Sequence, residues 1–146
     1  MVPVLRKRFN AVDGEIRAQC AVVGVYNHPQ AAVIAYHCLH ALQHRGQEAT
    51  GIVSAYWDDR QQRRRFQSHK GKGLVLDVFT PDILQSVLRG DAAIGHNRYS
   101  TTGSSTSANI QPFHIIYRMG NIALAHNGNL TNTRTLRRQL QDEGSI

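Results

Sequence analysis

Cys20-Ala21-Val22-Val23-Gly24-Val25-Tyr26 is the stretch on which the reading of this chain turns. A short apolar run headed by a thiol reads as a buried strand, and a free cysteine there is ordinarily a small core residue. Two polar, glycine-bearing loops lie downstream, each at the end of an apolar run. They are His96-Asn97-Arg98-Tyr99-Ser100-Thr101-Thr102-Gly103 and His126-Asn127-Gly128-Asn129-Leu130. A thiol nucleophile, an arginine and an Asn-Gly pair are the parts that an amide-splitting site needs.

Working outward, Asn27-His28-Pro29 is a turn signal after the strand. From Gln30 to His44, Ala32, Ala35, Tyr36, Leu39 and Leu42 recur every three or four residues, which predicts a helix. Arg45-Gly46 closes it, with a cation at the negative end of the helix dipole and a glycine suited to a left-handed cap. Gly51 to Trp57, the turn Asp58-Asp59-Arg60 and a return strand from Arg63 predict a hairpin, with His69-Lys70-Gly71-Lys72-Gly73 as a loop. Thr80 and Pro81 predict the start of a helix that runs through Leu88. A strand is expected from Asp91 to His96, and a second hairpin from Ile115 to Arg118 and Asn121 to Ala125. Thr131 or Thr133 caps a last helix that carries Leu136 and Leu140, with Gly144 past its end. Helices mixed with antiparallel hairpins predict an α+β fold rather than a doubly wound α/β sheet.

The 146 residues suffice for one domain with a real core. Apolar content of 41% with 18% charged residues is that of a soluble globular domain. A formal charge of +7 suits an anionic partner, nucleic acid or a phosphorylated small molecule, without choosing between them. Cys20 and Cys38 form no C-x-x-C pair, and free thiols in a cytoplasmic protein are the expectation. No apolar run has transmembrane length. Met1 to Gln19 carries early basic residues and later Asp13 and Glu15 with no apolar core, so it reads as a leader rather than a secretory signal. Its removal between Gln19 and Cys20 is the sharper form of that reading.

Each motif has a plain alternative. Asn127-Gly128 is a tight turn if it stands alone, but between a strand and a helix its two N–H donors can converge on a developing oxyanion. Arg98 is either a surface arginine or a two-pronged carboxylate clamp, with Ser100, Thr101 and Thr102 beside it. His37, His40 and His44 share a helix face but complete no familiar ligand pattern, so no metal is expected. The Arg60 to Arg65 run reads as a solvated hairpin with few aromatics for nucleic acid, and Lys70-Gly71-Lys72-Gly73 lacks the ending of a phosphate-binding P-loop.

Four motifs in order, Cys20 to Gly24, His44 to Ile52, Gly95 to Thr101 and Ala125 to Leu130, resemble the signature of the class II glutamine amidotransferases, the N-terminal-nucleophile glutaminases. Within them the wording of His44 to Ile52, Arg98 to Gly103 and Asn127 to Asn132 is most similar to the amidophosphoribosyltransferases. The resemblance covers Cys20 to the end of the chain. It implies a four-layer αββα sandwich of antiparallel sheets, incomplete in this chain. Residues 1–19 are then a leader and 20–146 the amidotransferase domain, with its C-terminal part and a phosphoribosyltransferase domain beyond.

The resemblance also implies roles. Cys20, once N-terminal, attacks the side-chain amide of glutamine, and Asn127 and Gly128 hold the oxyanion. Arg98, with Thr101 nearby, holds the substrate α-carboxylate, and Arg45 and Tyr99 match positions linked to glutamine-loop closure. The ammonia released replaces pyrophosphate on phosphoribosyl pyrophosphate and gives phosphoribosylamine, the first step of purine synthesis. No cofactor is implied for this segment. Mg²⁺ is expected with the phosphoribosyltransferase domain, which also has room for an iron–sulfur cluster. The implied partners are glutamine, phosphoribosyl pyrophosphate and further copies of the full-length chain, with neither nucleic acid nor membrane among them.

Two departures from the family pattern stand out. Ala21 occupies the place where glycine usually follows the nucleophile, and its methyl is expected to crowd the site. The carboxylate that holds the substrate α-amino group is expected beyond Ile146. The competing readings are a glutaminase of the glucosamine synthase or glutamate synthase type, and a non-catalytic homologue that binds anions or nucleic acid through the Arg60–Arg65 hairpin.

Overall fold

The computed structural model describes residues 20–99, 107–128 and 130–145. The Cys20 run forms β1 (Ala21–Tyr26), and the apolar periodicity after it forms α1 (Ala31–Ala41). Two ten-residue strands follow, β2 (Ala49–Asp58) and β3 (Arg63–Lys72). A short α2 (Val75–Val78) and a π-helical turn (Ile83–Val87) lead into β4 (Ala92–Arg98). A 3₁₀ turn (Ser107–Asn109) precedes the hairpin of β5 (Phe113–Tyr117) and β6 (Gly120–Leu124), and α3 (Thr133–Asp142) comes last.

The first four strands make one antiparallel sheet in the order β1-β4-β2-β3, while β5 and β6 pair with each other. Antiparallel pairing among the described strands gives the α+β class expected from the alternation of hairpins and helices.

Strand alternation divides the sheet into two faces. Ile52 and Ala93 meet Ala31, Ala32, Ala35 and Leu39 of α1, together with Val75, Val78, Phe79 and Leu88. Burying side chains of this size contributes about 1.5–3 kcal/mol each for the larger aliphatics and Phe. Gly95 lets α1 approach, because a Cβ there would lie 2.7 Å from Leu39 Cδ1. The other face meets the second hairpin where His114 of β5 stacks on Phe66 of β3 with ring centroids 5.7 Å apart. Between them runs an apolar groove lined by Gly24, Tyr26, Phe66, Ile94 and Ala123.

Several local expectations change. His69 to Lys72 is strand rather than loop, because β2 offers ladder partners as far as Ala49 and the lack of a side chain at Gly71 admits Val78. α1 ends at Ala41, before His44, and Gly46 is extended at φ −157° rather than left-handed. Gly46 is needed for close approach, since a Cβ would lie 2.8 Å from the Arg98 carbonyl carbon. Thr80 does accept the Ile83 N–H at 3.4 Å, but the segment it starts is a π turn. α3 begins after Asn132, with no side-chain cap from Thr131 or Thr133, and Gly144 takes the left-handed φ of +68° expected past its end.

Ile115, Ile116, Tyr117, Met119, Ile122 and Leu124 of the second hairpin are exposed, as are Leu136 and Leu140 of α3. A flat apolar strand face of this kind templates association. The 146-residue chain is therefore expected to self-associate, and the double substitution Ile116→Lys and Leu124→Lys to reduce this in analytical ultracentrifugation. A dilute wild-type sample that is monomeric and unfolds cooperatively would contradict the expectation.

Candidate active site

The site is built at the end of the sheet where β1 begins and β4 finishes. Antiparallel register sets Ala21 opposite Asn97, so Cys20 meets the chain leaving β4. The Tyr99 N–H donates to Cys20 Sγ at 3.5 Å, and Sγ lies 3.7 Å from the Tyr99 carbonyl oxygen. Arg45 reaches the same place, its Nε donating to the Cys20 carbonyl in a long contact of 3.5 Å. The thiol is partly exposed, so a substrate can reach it. Ala21 is buried and shares a face with its cross-strand partner Asn97, on the α1 side. Its methyl points to the face opposite the neighbouring position, because adjacent strand residues alternate between faces.

Asn97 anchors this end of β4. It is fully buried, accepts the Thr50 hydroxyl at 2.8 Å and donates Nδ2 to the Leu39 carbonyl at 2.8 Å. Arg98, one residue on, points to the other face and is also buried. Its Nε lies 3.7 Å from Glu48 Oε2, and the Glu48 N–H donates to the Arg98 carbonyl at 3.2 Å. Arg98 Nη1 is buried with no hydrogen-bond acceptor among the described residues. Burying such a donor is costly unless something accepts from it. Arg98 is therefore no loose surface arginine: its Nε side is ion-paired with Glu48 and its Nη1 has no acceptor among the described residues.

Asn127 and Gly128 lie in an exposed turn after β6. Their link to the sheet is His126, whose N–H donates to Gln111 Oε1 at 2.7 Å. The His96 ring lies beside the His126 backbone from the β4 side. Thus Cys20, Arg45 and Tyr99 are brought together directly, and Arg98 stands at the same end of β4, paired with Glu48. The Asn127-Gly128 turn is tied to the same sheet through His126. Thr101 lies outside the described residues. His37 and His40 do not gather as ligands: the Tyr36 ring stacks on His40 and meets His37 edge-on. The arginine hairpin is engaged within the chain, with Arg64 paired to Asp91, and Arg63 and Arg65 bound to Gln61.

These observations meet those from known proteins. The family model for class-II glutamine amidotransferases matches residues 20–144, beginning at the cysteine that the register places beside Tyr99. The chain belongs to the class-II glutamine amidotransferases. Among relatives, an amidophosphoribosyltransferase of Arabidopsis thaliana is 48% identical over 92% of this chain and 23% of its own length. One of Lacticaseibacillus casei is 47% identical over 90% of this chain and 64% of its own. A solved allosteric regulatory enzyme of purine biosynthesis superposes with TM-score 0.75 at 44% identity, over 86% of this chain and 26% of that one. The Bacillus subtilis glutamine phosphoribosylpyrophosphate amidotransferase, solved with ADP and GMP, gives 0.72 at 43% identity, with 86% and 25% covered. The chain spans about a quarter of the length of the first relatives it matches. The fold is the N-terminal-nucleophile type that the four motifs implied.

No residue type marks Glu48, His96 or Gln111 for these contacts: Glu48 and His96 are ordinary members of the His44–Ile52 and Gly95–Thr101 motifs, and Gln111-Pro112 carries no sequence signal for its contact with His126.

His96 is 1% exposed, and neither ring nitrogen has a well-formed hydrogen bond among the described residues. Burial pushes its pKa from 6.5 down to about 4, with the nearby Arg98 charge a smaller contribution in the same direction. The unfolded chain therefore binds a proton near pH 6.5 that the folded chain refuses until about pH 4. Stability is full above pH 6.5 and is lost as pH falls towards 4, by about 3 kcal/mol from this group. Denaturant titrations at pH 7 and pH 4.5 are expected to show a smaller drop for His96→Phe than for the wild type; equal drops would contradict the assignment.

Proposed function

We propose that this chain is the glutamine-splitting part of an amidophosphoribosyltransferase. The observation that carries this reading is the partly exposed Cys20 thiol at the Tyr99 backbone, with Arg98 at the same end of the sheet and the family match opening at residue 20. The wording of the motifs and the amidophosphoribosyltransferase relatives favour it over the glucosamine synthase and glutamate synthase types. Arg64 of the 60–65 hairpin is paired with Asp91 and few aromatics stand near the run, which disfavours a nucleic-acid module.

In this reading residues 1–19, which lie outside the described residues, are a leader whose removal frees the Cys20 α-amino group. Such a group titrates near 8 and a thiol near 8.5, so transfer of the thiol proton to the amine is nearly balanced. The thiolate attacks the δ-carbon of glutamine. A C–S bond forms, and the carbonyl electron pair moves onto oxygen. Asn127 Nδ2 and the Gly128 N–H stabilise that oxyanion. Collapse breaks the C–N bond, the ammonium proton passes to the leaving nitrogen, and ammonia departs from a thioester. Water then releases glutamate.

Arg98 donates to the substrate α-carboxylate through Nη1, a role that the family resemblance shares with Thr101, while Glu48 pairs with Nε. Arg45 and Tyr99 hold the nucleophile's surroundings and couple them to loop closure. The ammonia is used elsewhere in the full-length protein to convert phosphoribosyl pyrophosphate to phosphoribosylamine. Mg²⁺ and any iron–sulfur cluster belong to that other portion. Among the described residues no three His, Cys, Asp or Glu side chains gather as a metal-binding group. The working form is a cytoplasmic homo-oligomer. No helix among the described residues is long and apolar enough to cross a membrane.

Intact-mass analysis of the natural full-length protein, with and without a glutamine-mimicking electrophile, tests the proposal. The expected result is an N-terminus at Cys20 and one adduct, lost in Cys20→Ser together with glutaminase activity. A folded protein that retains Met1 and takes no adduct would sink the reading.

A further inference from the structure

A rigid connection runs from the nucleophile's sheet to the Asn127-Gly128 turn, and it passes through Gln111. The main chain of Gln111 is seated on β2 at Gly51, where any Cβ would collide with the Gln111 carbonyl. Lys70, cross-strand from Gly51 on β3, donates Nζ to the neighbouring Ile110 carbonyl at 2.9 Å. Gln111 is itself only 9% exposed, and its side-chain oxygen accepts the His126 N–H at 2.7 Å. The His96 ring, cross-strand from Gly51 and from Val22 of β1, lies beside the His126 backbone. One group fixed to the sheet, the Gln111 side chain, therefore holds the residue that immediately precedes Asn127, with the His96 ring packed nearby.

We propose that Gln111 is the positioning residue of the donor turn: pinned to β2 and β3, it fixes the His126 N–H and so sets where Asn127 and Gly128 point relative to Cys20. This rests on Asn127 and Gly128 being the oxyanion donors. A hydrogen bond of 2.7 Å from the His126 N–H to a nearly buried side-chain oxygen restrains an exposed turn. Donors displaced by an ångström lose much of their effect on an oxyanion, while the thiol itself is untouched.

The test compares two reactions of Cys20 in the natural full-length protein. Glutamine hydrolysis develops an oxyanion, whereas alkylation by iodoacetamide is a displacement at carbon that develops none. Gln111→Met keeps the side-chain length and removes the acceptor. Its glutaminase kcat is expected to fall about 100-fold, with KM for glutamine little changed and the alkylation rate held within about twofold. Gln111→Asn, which withdraws the acceptor by one methylene, gives the same comparison where the methionine variant is insoluble. An unchanged kcat, or equal losses in both reactions, overturns the role of Gln111. A wild-type protein with no glutaminase activity instead removes the reading of Cys20, and the role of Gln111 with it.

Discussion

β4 lies between β1 and β2, and the rest of the site depends on that pairing. Its register is held from the helix side by Asn97, a buried amide that joins Thr50 of β2 to the Leu39 carbonyl at the end of α1. An unpaired amide in that position costs about 1–3 kcal/mol. A slip by one residue would bring Arg98 into the apolar helix-side core and move Asn97 away from both partners. With the register fixed, Cys20 has one place to go, against the backbone of Tyr99. Glu48, just ahead of β2, closes against Arg98 from the other side.

The two faces of the sheet divide the work. The face towards α1 is filled by small and branched aliphatic residues, and the glycine at 95 lets the helix approach. That face makes the sheet rigid. The opposite face carries His96 and Arg98, both buried with ring or guanidinium nitrogens lacking acceptors among the described residues. Polar groups left in this state cost stability, and such costs concentrate where a protein binds or reacts. Neutral His96 and charged Arg98 are thus different solutions to burial. The imidazole gives up its proton, while the guanidinium keeps its charge with Glu48 beside it.

Much of this was readable from residue order. The Cys20 run, the Gln30 helix, both hairpins and the two polar loops follow from local periodicity and turn residues, and they formed close to where the pattern put them. Errors gathered where a distant partner decided the outcome. Gly46 has the composition of a helix cap but serves the approach of Arg98, more than fifty positions away in sequence. His69 to Lys72 has the composition of a loop but is drawn into the sheet by β2.

By itself the sequence determined the chemistry on offer: a thiol at a strand head, an arginine and an Asn-Gly turn, in an order shared with a glutaminase family. Those are properties of residue types and of short spacings, and they survive without coordinates. Only the tertiary structure decided that Glu48 holds Arg98, that the Ala21 methyl faces away from Cys20's side of the sheet, and that Gln111 tethers His126. The reason is physical. Each of those contacts joins segments whose meeting depends on strand register and on which face a side chain takes, and no local pattern encodes either.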